Sequence, residues 1–249
     1  MKTTVLPLLL GSLLGLLVST ANAGDCDYSR QIDREVDIGT VTDVRVEAGA
    51  GGLSIQGEPG RSNVLIRAKV CASDEELLAK LDVISEVTAE SAYFGTKFPD
   101  KSFWSNDWQQ ASIDLNLVVP AAASLEVADS SGKASIENVA ALSMKDSSGA
   151  LEIARVSGNV TVVDSSGELT VQEIAGDVEL TDSSGAIRVN QVKGSLIVHA
   201  DSSGGIEAKN IGKNVLIKRD SSGAIEVKDV AGDFTVAKDS SGGIRYKNV

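Results

Sequence analysis

Seven copies of one four-residue phrase, Asp-Ser-Ser-Gly, run through the second half of the chain. They start at Asp129, Asp146, Asp164, Asp182, Asp201, Asp220 and Asp239, in steps of 17, 18, 18, 19, 19 and 19 residues. So regular a period predicts stacked repeats. In the unit from Asp164 to Thr181, Leu169 and Val171 alternate with Glu168, Thr170 and Gln172. Val178 and Leu180 alternate with Asp177, Glu179 and Thr181, and Ile174 fills the bend. Alternation with period 2 marks strands that bury one face. The next unit repeats the pattern with Ile187, Val189, Val192, Leu196 and Val198. One unit cannot bury its aliphatics alone, whereas stacking identical units makes a continuous core. An antiparallel meander would give no reason for identical residues at one turn in every period. The prediction is an all-β fold, a flattened two-sheet parallel β-solenoid with coils of 17–19 residues. One turn lies at Asp-Ser-Ser-Gly. The other lies near Gly158, Gly176, Gly194, Gly212 and Gly232, where glycine permits positive φ. The longer coils gain one residue before Asp, at Ala200, Arg219 and Lys238, which predicts a β-bulge.

Upstream the chain is less regular. Lys2, an apolar run from Val5 to Val18 and Ala21-Asn22-Ala23 read as a signal peptide over residues 1–23. Export to the periplasm, the cell surface or the medium follows. No second apolar run is long enough to span a bilayer. Residues 24–40 read as a polar tail. A solenoid domain follows over 41–249, with strands, a helix and an aromatic hairpin over 41–128 and the repeats over 129–249. Ser73-Asp74-Glu75-Glu76 before Leu77, Leu78 and Leu81 predicts one short helix over 74–81. The cysteines Cys26 and Cys71 are expected to form a disulfide in an oxidising compartment. Removing Lys2 from the 23 basic residues leaves 22 against 35 acidic ones, a net charge of −13. Such a surface repels nucleic acid and anionic lipid and suits cations or uncharged partners such as glycans.

Two features are candidate sites. The first is the aspartate row. Asp in such a turn accepts hydrogen bonds from backbone N–H groups one or two residues on, an Asx-turn, and Ser does so more weakly. The alternative is a divalent-cation site, with Ca²⁺ held by Asp146, Asp164, Asp182, Asp201 and Asp220 on successive turns. One carboxylate per coil falls short of the six to eight oxygens Ca²⁺ takes. The second is the stretch from Tyr93 to Trp108, which holds six of the nine aromatic residues. Its rings either cover an open end of the core or make a contact surface. On the contact reading Trp104 and Trp108, with Phe103 and Tyr93, are the binding residues. Catalysis is not predicted. His199 is the sole histidine, and G-x-S-x-G, H-E-x-x-H and C-x-x-C are all absent. A glycan-active enzyme is a third reading, by analogy with larger parallel β-helices.

The run Ile113-Asp114-Leu115-Asn116-Leu117-Val118-Val119-Pro120, followed by Leu125-Glu126-Val127-Ala128 and the first Asp-Ser-Ser-Gly, resembles the entry into the repeats of the bacterial putative-adhesin family. That family consists of exported β-strand-repeat proteins related to autotransporter adhesin heads. In it a strand ending in proline leads into repeats carrying S-G-x-[IL]-x-[VI] and a second glycine, as here from Gly132 on. The resemblance spans about Val41 to Val249. The expectation is a non-enzymatic binding or scaffold module of the cell envelope with a protein or glycan partner, and no cofactor unless the aspartate row holds Ca²⁺. The resemblance transfers no catalytic residue.

Overall fold

The structure, a computed structural model, describes residues 26–99 and 110–249. The expected signal peptide and the candidate binding residues Phe103, Trp104 and Trp108 lie outside the described residues.

The repeats coil as their alternation requires. Each coil gives one strand to each of two sheets. The first sheet takes β9 (Ala134–Glu137), β11 (Leu151–Val156), β13 (Leu169–Ile174), β15 (Ile187–Val192), β17 (Ile206–Ile211), β19 (Ile225–Val230) and β21 (Ile244–Lys247). The second takes β8 (Ser124–Ser131), β10 (Ala141–Asp146), β12 (Val160–Asp164), β14 (Val178–Thr181), β16 (Leu196–Ala200), β18 (Val215–Ile217) and β20 (Phe234–Val236). All these neighbours pair in parallel, and in register save for one shift between β14 and β16. Leu169 faces Ile187 and Val171 faces Val189 in one sheet, while Val160 faces Val178 in the other. Equivalent aliphatics therefore stack into columns, and those from Val44 to Val227 are buried. A parallel solenoid, rather than a meander, is the architecture.

The N-terminal part contains a coil hidden from the repeat phrase. β2 (Asp43–Ala50) pairs in parallel with β8, and β3 (Leu53–Glu58) pairs in parallel with β9. Ala48 stands opposite Asp129, in the aspartate's position. This first coil is separated from the second by an insertion that builds a cap. β4 (Asn63–Ala72) and β7 (Ala111–Pro120) pair antiparallel, and β7 joins the solenoid beside β3. α1 (Glu75–Lys80) is the predicted helix; its N-cap is Asp74, whose carboxylate accepts from the Leu77 N–H at 2.7 Å. Leu77 and Leu81 are fully buried. β5 (Asp82–Val87) and β6 (Ser91–Lys97) form an antiparallel edge on the second sheet.

Three expectations are corrected. Residues 28–37 are not a tail but the strand β1 (Tyr28–Asp37), which pairs antiparallel with all ten residues of β4. Its polar residues face outward along a sheet edge and Ile32 faces the core. Local patterning is weak there because only one face in the middle of the strand is covered. The strands that flank the aromatic segment do not pair as a hairpin. β6 lies in the second sheet and β7 in the first. The glycines of the second turn do not take positive φ. That conformation belongs to the non-glycine residues Asn138, Arg155, Glu173, Gln191, Asn210, Asp229 and Asn248, one per coil, with φ of 55–58°. The second-turn glycines serve close approach instead: a Cβ on Gly176 would lie 2.4 Å from the Gly158 carbonyl oxygen.

The disulfide joins Cys26 to Cys71, with Cα atoms 5.3 Å apart. The predicted bulge also forms. The register between β14 and β16 shifts after Leu180, so Thr181 faces Ala200 and His199 is the extra residue.

Candidate functional site

Two features run along the solenoid, one at each corner. The first is the Asp-Ser-Ser-Gly corner. Its glycines take φ of 120–142°, and a Cβ on Gly185 would sit 1.6 Å from the Gly167 carbonyl oxygen. Only glycine fits. The aspartates point inward, and those from Asp129 to Asp220 are buried. In three of them one carboxylate oxygen closes an Asx-turn: Asp164 Oδ1 accepts from the Ser166 N–H at 3.1 Å, Asp182 Oδ1 from the Ser184 N–H at 3.2 Å and Asp201 Oδ1 from the Ser203 N–H at 3.2 Å. The second serine ties the coils together. Ser166 Oγ donates to the Ser147 carbonyl and Ser184 Oγ to the Ser165 carbonyl, both at 3.2 Å. The hydroxyls thus bond to backbone of the preceding coil rather than to one another. Burial, followed by the neighbouring carboxylates, raises the pKa of Asp129 and of Asp201 to about 6. Among the described residues no group of three or more His, Cys, Asp or Glu that could hold a metal ion occurs.

The second feature is the opposite corner. After two inward residues each coil places two outward ones, then turns inward again, as in Gln172, Glu173 and Ile174. The left-handed residue makes this kink. Its neighbours form a groove of about 620 Å³ that crosses four coils. Buried Val156, Ile174, Val192 and Ile211 form the floor. One wall carries the left-handed residues Arg155, Glu173, Gln191 and Asn210.

Asn and Asp tolerate the left-handed region, and four of the seven corners use them. Arg155, Glu173 and Gln191 do not belong to that class, and all three are consecutive along the groove. Arg155 donates from Nε to Asn138 Oδ1 at 2.8 Å and pairs with Glu137. Among the described residues, Glu173 and Gln191 engage no side-chain partner. Sequence reading missed this wall, although Asn or Asp at the equivalent place in four coils is a signal for positive φ there.

Of the predicted binding residues, Tyr93 lies on β6. Its hydroxyl donates to Glu47 at 3.1 Å, and its ring lies over Gly95, the pocket a Cβ would fill. Burial and the Glu47 carboxylate push its phenol up from its ordinary value. A smaller cleft of about 390 Å³, lined by Glu47, Phe98, Asp129 and Lys145 among others, opens at the foot of the aromatic segment. His199 is not isolated: Nε2 lies 2.8 Å from Glu179 and Nδ1 lies 3.1 Å from Lys218 Nζ.

No helix among the described residues is long and apolar enough to cross a membrane. No protein-family model and no curated protein matches the chain. Solved structures do. A putative cell adhesion protein from Clostridium sporogenes is 14% identical, with 88% of this chain and 100% of that one covered at a TM-score of 0.41. A putative lipid binding protein from Parabacteroides distasonis is 17% identical, with 90% and 98% covered at a TM-score of 0.44. A putative adhesin from Parabacteroides merdae is 16% identical, with 88% and 96% covered at a TM-score of 0.40. Proteins named as putative adhesins recur among the solved structures this chain is similar to.

Proposed function

We propose that this chain is an exported, non-enzymatic binding module of the cell envelope, in which the solenoid is the rigid scaffold and the kinked corner is the contact surface. The observation that carries this reading is the wall of the groove. Glu173 and Gln191 hold left-handed backbone at a cost of roughly 1–2 kcal/mol each, and among the described residues neither side chain has a hydrogen-bond or ion-pair partner. Strain that no internal contact offsets points to use elsewhere. The groove offers guanidinium, carboxylate, amides and the Ser157 hydroxyl at successive levels about 4.8 Å apart. These groups hydrogen-bond sugar hydroxyls, and the net negative charge of the chain turns away polyanions. A linear glycan of the envelope is therefore the favoured partner. The disulfide supports export into an oxidising compartment. The aromatic segment is proposed as an accessory contact through Trp104 and Trp108, with Phe103 and Tyr93.

The test is a glycan array probed with the mature chain and with Glu173→Asn/Gln191→Asn. Wild type is expected to bind at least one glycan class and the variant to lose it. Melting of the variant should be unchanged or raised, by about 0.5–1 kcal/mol per position, because Asn suits the left-handed region better. Equal binding by both proteins, or no binding by wild type, rejects the groove as the seat.

A further inference from the structure

The aspartate corner presents a problem of polar satisfaction. Among the described residues, every buried side-chain oxygen or nitrogen without a partner belongs to this row. One oxygen is bare on Asp129, Asp164, Asp182, Asp201 and Asp239, and both are bare on Asp146 and Asp220. Asp201 and Asp220 are wholly buried. The carboxyls stack in register, Asp129 on Asp146 on Asp164, and Asp201 on Asp220 on Asp239, at coil spacings of about 4.8 Å.

The groups that face them are few. Asp201 meets the carboxyls of both adjacent coils, Asp182 and Asp220, while Asp129 meets Asp146, Asp146 meets Asp164, Asp182 meets Asp164 and Asp220 meets Asp239. The strands of the opposite sheet present Leu151, Leu169, Ile187, Ile206 and Ile225 to the core, all aliphatic. Of the basic residues preceding the row, Lys145, Arg219 and Lys238 are exposed. Only at Asp129 do other charged groups, Glu47 and Lys145, line the adjacent cleft. Buried carboxylates without a counter-charge are costly, and stacked ones repel. A metal would need more oxygens than two adjacent carboxyls supply. A proton needs two.

We propose that the row is a proton-binding ladder, in which carboxyls of successive coils take up protons and share them as carboxyl–carboxylate hydrogen bonds along the solenoid axis. The hydroxyl of one protonated Asp donates to the bare oxygen of the next. Each shared proton then satisfies two otherwise orphaned atoms and removes one buried charge. Because the folded carboxyls hold protons more tightly than those of the unfolded chain, the ladder stabilises fully below the unfolded aspartate pKa of about 3.9. That contribution is lost as pH rises through about 6, the value that burial and the flanking carboxylates give Asp129 and Asp201. Acid should tighten this solenoid and alkali should loosen it.

A general fall in surface repulsion would also favour acid, so the test compares two double variants of equal charge. Asp182→Asn/Asp201→Asn puts in the row an amide that keeps the Asx acceptor and donates to the next coil. Asp43→Asn/Asp233→Asn removes two exposed carboxylates. Melting is followed from pH 4.5 to pH 8. The row variant is expected to melt higher than wild type at pH 8, by about 3 °C or more, with a flattened pH dependence. The surface variant should keep the wild-type slope. Indistinguishable behaviour of the two variants, or a row variant less stable than wild type at pH 8, overturns the proposal. So does a Ca²⁺-induced, EDTA-reversible rise in wild-type melting that the row variant lacks, since a cation would then fill the corner. Carboxyl ¹³C resonances of aspartate-labelled wild type give a readout without mutation. Several should titrate with midpoints well above the ordinary range, and their absence defeats the ladder.

Discussion

At the residue scale, two backbone conformations hold the coil. The Asp-Ser-Ser-Gly corner requires glycine for both φ and space. Gly185→Ala forces a Cβ against the Gly167 carbonyl and places alanine at φ of +141°. A loss of about 3–5 kcal/mol is expected, read as a lower urea midpoint. The opposite corner requires left-handed backbone but leaves room for a side chain, so its residue can vary from coil to coil. The chain has thus placed constancy on one edge of the stack and variation on the other. The aspartates, by contrast, occupy a position where Ala48 serves in the first coil, so a carboxyl is not needed to make the turn itself.

At the element scale, each strand divides its residues between core and solvent. Val178 is fully buried between the sheets, and its neighbour Glu179 points outward toward His199. Val178→Asp should cost about 4 kcal/mol or more and unfold adjacent coils, because each coil is stabilised by its neighbours. Glu179→Lys gives up one half-exposed pair and should cost about 1 kcal/mol or less. Chemical denaturation of the two variants side by side checks the assigned faces. The aromatic connection between β6 and β7 calls for a separate measurement. Trp104→Ala/Trp108→Ala is expected to leave melting unchanged while weakening partner capture. A large fall in melting temperature with capture retained would make the rings structural.

At the scale of the whole molecule, the two ends of the solenoid differ. The N-terminal end is closed by α1, by the β1–β4–β7 antiparallel strands and by the disulfide. At the other end β20 and β21 are sheet edges, and Ile244 and Tyr246 are 42% and 66% exposed. The rings of Phe234 and Tyr246 stand where earlier coils carry Val215 and Val227, with centroids 6.0 Å apart. Two aromatic residues therefore broaden the last layer of a core that is otherwise aliphatic. The disulfide spans 45 residues, for which the loop-entropy model gives about 4 kcal/mol. Reduction should lower the melting temperature of the cap with the repeat strands retained, as followed by hydrogen exchange resolved along the chain.

The repeat period, the inward faces and the parallel stacking were legible in the sequence because each rests on local alternation and on identity from coil to coil. The helix at Asp74 and the Cys26–Cys71 bridge were legible for similar reasons, a cap signal and a count of two. Tertiary structure decided the rest. The coil formed by β2 and β3 lacks the aspartate and is parted from its partners by the cap, so only pairing with β8 and β9 reveals it. β1 is a strand because β4 offers it an edge. The groove exists because Arg155, Glu173, Gln191 and Asn210, each ordinary in sequence, fall on one kinked corner of four stacked coils. The buried state of the aspartates likewise belongs to the stack. An Asx-turn alone leaves a carboxylate in water, and it is the neighbouring coils that remove the water and set one carboxyl above the next.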